Sequence, residues 1–158
     1  MREPSHDLAL PQYQRGGGSL KSASFRRLLS RTSPEIIFLQ ETMVDRQKVR
    51  TFLNKFCSNW HICSVKSLGT SGEFVVSWDN KKFDLTPYMC CGGILLTGTS
   101  RWSNQQINFL NIYGPCTNRK VFWDKVEARG LLDHTNLITA GDMNLKTNVG
   151  EVWGASAT

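Results

Sequence analysis

Long apolar stretches are missing from this chain of 158 residues, and none approaches the roughly 20 residues that a membrane-spanning helix requires. The N-terminus also lacks the apolar core of a secretory signal. Both absences argue against a membrane anchor or partner and lead us to expect an intracellular protein, nuclear or cytoplasmic. Cysteine is scarce and odd in number: Cys57, Cys63, Cys90, Cys91 and Cys116 show no metal-ligand spacing. That argues against a structural zinc module and for reduced thiols. Cys90 and Cys91 adjoin within an apolar-rich stretch, where strand neighbours point to opposite faces, and both read as small hydrophobes. No internal repeat is visible. Acidic residues are the other shortfall, 13 against 19 Lys and Arg, for a net charge of +6. Such an excess favours anionic partners, nucleic acid or phosphorylated surfaces, and is equally compatible with a merely basic surface.

What remains is ample for folding. The chain is 40% hydrophobic, with eight Phe and five Trp, which suits one domain with a real core. Residues 1–18 lack periodicity, contain Pro4 and Pro11, and end in Gly16-Gly17-Gly18, so we expect a loosely held segment before a domain spanning 19–158. Phe25, Leu28 and Leu29 have helical spacing with Arg26, Arg27 and Arg31 outward, and Ser33-Pro34 ends that helix. Ile36 to Leu39 reads as a strand covered on both faces. Asp45 can cap a second helix that buries Val49, Phe52, Leu53 and Phe56. Strand-like runs follow at His61–Val65, Phe74–Trp78, Phe83–Tyr88, Ile94–Thr99 and Ile107–Tyr113, separated by turn residues. A third helix is predicted over Arg119–Leu132 and a last strand over Leu137–Ala140. The order implies an α/β domain, a mixed sheet with helices outside.

Three polar positions close apolar strands, where α/β folds commonly build their sites. They are Glu41 after "IIFLQ", Tyr113 in "INFLNIYGP", and the pair Asp142 and Asn144 after "LITAG". A carboxylate beyond a buried strand suits a hard cation such as Mg²⁺. An Asp and an Asn two residues apart can orient a water and hold a phosphate oxygen, and a tyrosine hydroxyl can bond developing charge. Strands also end in polar residues simply because loops are solvated. The residues alone leave both readings open for "ITAGDMNLK".

At these positions the chain resembles the endonuclease/exonuclease/phosphatase superfamily, most closely the endonuclease domain of plant LINE-type (non-LTR) retrotransposons. The similar stretches are "SPEIIFLQET", "SGEFVVSWD", "NFLNIYGP" and "LITAGDMN", in the family's order. The resemblance implies a four-layered α/β sandwich, of which this chain holds part. It also implies hydrolysis of phosphodiesters with Mg²⁺, or Mn²⁺ in its stead, and DNA as the partner that is nicked. Glu41 matches the metal-binding glutamate and Tyr113 the tyrosine that contacts the scissile phosphate. Asp142 matches the aspartate that activates the attacking water, and Asn144 its phosphate-binding neighbour.

The departures carry expectations too. Where the family opens with Asn-x-Arg-Gly, this chain has Tyr13-Gln14-Arg15-Gly16. The terminal Ser-Asp-His motif has no counterpart, since Leu145 to Thr158 contains neither Asp nor His. We therefore expect impaired activity and uncovered apolar surface. The alternatives are an inactive retroelement remnant or basic nucleic-acid-binding module, a non-enzymatic interaction module using Arg26, Arg27, Lys48 and Arg50 as a solvated basic face, and, less favoured by the resemblance, a phosphoinositide or sphingomyelin phosphodiesterase.

Overall fold

A computed structural model describes residues 8–9, 22–42, 46–66 and 73–145, with the backbone alone described at Leu8, Ala9, Ser22 and Glu41. In chain order the elements are β1 (Leu8–Ala9), α1 (Ser22–Thr32), β2 (Ile36–Thr42), α2 (Arg46–Asn54), β3 (Trp60–Lys66), β4 (Glu73–Asp79), β5 (Phe83–Cys90), β6 (Gly93–Ser100), β7 (Gln106–Ile112), α3 (Arg119–Ala128) and β8 (Leu137–Ala140). The strands form two four-stranded sheets, ordered β1-β2-β4-β3 and β5-β6-β7-β8. Each is mixed: β1 with β2 and β7 with β8 are parallel, and the other pairs antiparallel.

Side-chain alternation produces the layers. Ile36 and Phe38 of β2 enter one core with Val76 of β4 and with Leu96 and Phe109 of the second sheet, so this core lies between the sheets. Ile37 and Leu39 take the opposite face and pack under Phe25 of α1 and Val49 and Leu53 of α2. On the far side, Leu95, Leu110 and Ile112 pack under Val126 of α3. The result is helix, sheet, sheet, helix: four layers, as the resemblance implied. No helix among the described residues is long and apolar enough to cross a membrane.

Several elements differ from their sequence-based outlines. Within the segment expected to be loosely held, Leu8 and Ala9 pair with Ile36 and Ile37 as a two-residue parallel strand. Pairing with a neighbouring strand satisfies their backbone groups without any periodicity of their own. Asp45, the predicted cap of α2, lies outside the described residues. The third helix stops at Ala128, short of Leu132, because Gly130 adopts φ 61°. There the Gly130 N–H donates to Glu127 O and the Leu131 N–H to Val126 O, while Leu131 and Val126 share a cluster, which is a Schellman stop. Cys90 and Cys91 do not diverge but pack on the same α3-side cluster, since Cys91 sits in the turn beyond β5 where strand alternation has ended. Pro87 is accommodated within β5 because β5 is an edge strand.

Candidate active site

The sequence-derived candidates converge on one end of the sandwich, where β2, β7 and β8 finish. Pairing between β2 and β4 is regular through Leu39↔Val75 and resumes at Thr42↔Glu73, so Gln40 and Glu41 together oppose Phe74. The extra residue is a β-bulge, a device that re-aims a strand at its end. Glu41, the candidate metal ligand, lies in this bulge. Thr42 anchors its far side, its Oγ1 donating to Glu73 O at 3.1 Å.

Gln40 joins the sheets. Its Nε2 donates to Asn111 Oδ1 at 2.6 Å and to Ile112 O at 3.0 Å, both on β7. Its Oε1 accepts the Asp142 backbone N–H at 2.9 Å, just beyond β8. One amide thereby ties the bulge to both other strand ends. Asn111 is fully buried, and its Nδ2 has no hydrogen-bond partner among the described residues. It leaves a buried amide donor at the end of the sandwich where the candidate residues gather.

The Asp142–Asn144 loop is held at several points. The Gly114 N–H donates to Asp142 O at 2.8 Å. Asp142 Oδ1 accepts the Asn144 N–H at 3.0 Å, closing an Asx turn, and Asn144 Nδ2 donates to Gly114 O at 2.5 Å. Asn144 has φ 48°, a left-handed conformation that Asn tolerates better than most residues. Two glycines permit the close approach. Gly141 has φ 130°, and a Cβ there would run into Ile112 O and Gln40 Nε2; one at Gly114 would run into the Met143 backbone. Tyr113 stands one residue past β7, half-buried, its ring 6.2 Å from that of Phe74 and its N–H on Gly92 O at 2.8 Å.

Tyr113, Asp142 and Asn144 thus lie together beside the β2 bulge, with the Asp142 carboxylate exposed. Among the described residues no three His, Cys, Asp or Glu side chains group to hold an ion. Sequence reasoning missed Gln40 and Asn111, although a signal existed. Gln40 shares the parity of inward Ile36 and Phe38, and Asn111 that of Ile107 and Phe109, so both are polar residues on a core-facing row.

No family model matches the sequence, and no curated protein matches it at a significant level. Solved structures do match by shape. The human Nocturnin catalytic domain superposes with TM-score 0.60 at 11% identity, covering 81% of this chain and 58% of that one. An endonuclease/exonuclease/phosphatase from Bacteroides vulgatus gives 0.59 at 11% identity, covering 79% and 57%. The fold is the endonuclease/exonuclease/phosphatase sandwich. The same sandwich is shared by the endonuclease domain of TRAS1, a telomere-specific non-LTR retrotransposon, at TM-score 0.55 and 14% identity, covering 82% and 56%. The chain spans between 43% and 58% of the length of such sandwich proteins.

Proposed function

We propose that the chain is a divalent-metal-dependent phosphodiester hydrolase of the retroelement endonuclease type, nicking DNA for a plant LINE-type element. One observation carries the reading: Gln40 binds the Glu41 bulge, the end of β7 beside Tyr113, and the Asp142 loop into one polar cluster at the strand ends. The "LQET" and "GDMN" resemblance and the sandwich fold support it. With its second oxygen clear of the Asx turn, Asp142 accepts the proton of an attacking water. The water oxygen adds to phosphorus and the P–O3′ bond breaks, giving a 5′-phosphate and a 3′-hydroxyl protonated from solvent. The Tyr113 hydroxyl and the Asn144 amide position the phosphate.

Glu41 is the residue that would hold Mg²⁺ or Mn²⁺. A single carboxylate suits Mg²⁺, which keeps several waters and takes further oxygens from substrate phosphate. When bound, the ion supplies Lewis-acid polarisation of the phosphate. Purified protein should convert supercoiled plasmid to open circles with Mg²⁺ or Mn²⁺, and Glu41→Ala and Asp142→Ala should each abolish the nicking. Plasmid left intact across a range of both ions would sink the proposal. The net charge of +6 favours a second reading, nucleic-acid binding without cleavage.

A further inference from the structure

An open groove of about 610 Å³ lies against the edge strand β3, between the end of α2 and the β4–β5 turn. Its position is opposite the candidate active site. Ile36, at the start of β2, pairs with Trp78, and Trp60, at the start of β3, pairs with Asp79, so the groove sits where β2 begins. Glu41 lies near the other end of this seven-residue strand, on the order of 20 Å away at the usual rise.

The groove is lined by the cations Arg50 and Lys81 and by the neutral polar residues Ser58, Asn59 and Asn80, with His61 beside them. No carboxylate among the described residues lines it. Neighbouring cations are already engaged: Lys82 Nζ lies 2.8 Å from Glu35 Oε1, and Arg101 Nη2 lies 3.3 Å from Asp84 Oδ2. Arg50 and Lys81 have no carboxylate partner among the described residues, and Asp79 spends its Oδ1 on the Lys81 backbone N–H. Two cations facing an open groove without counter-charge suit an anionic chain.

The next turn adds an aromatic. Arg101 Nε donates to Asn80 O at 2.9 Å, and the Arg101 N–H to Lys82 O at 2.8 Å, which fastens the β6–β7 turn beside the groove. Trp102 stands on that turn with 77% of its surface exposed. A basic groove flanked by an exposed aromatic is the pairing that holds single strands, with cations tracking phosphates and a ring stacking on an unpaired base. We propose that this groove and Trp102 form a binding surface for single-stranded nucleic acid, separate from the Glu41–Asp142 end.

The test reads binding without hydrolysis, so it stands or falls independently of the nicking activity. Fluorescence anisotropy with a labelled oligothymidine in EDTA compares the full chain with a paired Arg50→Gln, Lys81→Gln variant. A control carries Lys125→Gln and Arg129→Gln, on and just beyond α3, for the same change in net charge. The groove variant should bind about tenfold more weakly at low salt, with the log–log salt slope shallower by about 1.4, and the control should bind like the parent. Trp102→Ala should weaken binding about fivefold or more, and Arg50→Lys with Lys81→Arg should retain it. Unchanged binding by the groove variant, or an equal loss in the control, would overturn the proposal. Duplex of the same length binding as tightly, with Trp102→Ala silent, would overturn the single-strand assignment.

Discussion

Replacing Gln40 with leucine keeps much of the side-chain volume and deletes all of its hydrogen bonds to Asn111, Ile112 and Asp142. The buried Asn111 Oδ1 then loses the Gln40 donor, and the Asp142 loop loses its tie to β2. Each buried polar group stranded in this way costs about 1–3 kcal/mol, so Gln40→Leu should lower the unfolding free energy by about 2–4 kcal/mol in urea titrations. The proposed nicking should fall by about 100-fold or more even where the variant remains folded, because the loop no longer holds Asp142 in place. The residue-scale lesson concerns polarity within strands. Glu41, Tyr113, Asp142 and Asn144 were legible because they punctuate strand ends. Gln40 and Asn111 hid inside apolar stretches, where one polar residue looks like the approach of a loop. Only the alternation of Ile36, Phe38 and Gln40, matched by Ile107, Phe109 and Asn111, shows that both point inward, and nothing in either stretch says that they meet.

At the scale of elements, periodicity locates helices and strands well and their ends less well. Ends depend on single backbone conformations, such as the positive φ of Gly130 that stops α3. Neither β1, too short for a pattern, nor the bulge at Gln40 and Glu41, which exists only relative to β4, has a signature in local sequence. The junction after β8 is the sharpest case. Gly141 combines φ 130° with an approach to Ile112 O and Gln40 Nε2 that no side chain allows. Gly141→Ala should therefore destabilise the protein by about 2–4 kcal/mol in urea titrations, from backbone strain together with the displaced amide. Gly130→Ala, where a Cβ meets only the far end of the Asp133 side chain, should cost about 1 kcal/mol.

The whole molecule has an outer helical layer on each face, and each layer covers a protected thiol. Burial, reinforced by the Asp79 charge, pushes Cys57 up from 9.0 to about 11 beneath α1 and α2. Burial, reinforced by Cys91, does the same for Cys90 on the α3 side. Below pH 9.0 the folded and unfolded states both keep these protons, and the contribution to stability is complete. Between 9.0 and about 11 the unfolded thiols ionise while the folded ones do not, so rising pH favours unfolding. Urea midpoints should hold near neutral pH and fall toward about pH 10, and Cys57→Ala with Cys90→Ala should flatten that decline. The division into two sheets was not legible in residue periodicity, which suggested one mixed sheet flanked by helices; it came only with the family resemblance of the motifs. Strand partners are chosen by contacts across long separations, and local pattern carries no record of them.

The Gln40 bridge also bears on the order in which the protein assembles. The hairpins β5–β6 and β6–β7 close over short turns and need little chain entropy to form. The bond from Asp142 to Gln40 joins residues 102 apart, and only after α3 has carried β8 back beside β7. Closure over such a separation carries a larger chain-entropy cost than either hairpin, so this contact is expected to form late. On this account the polar cluster of the proposed site is completed by its longest-range contact, after the local hairpins that flank it.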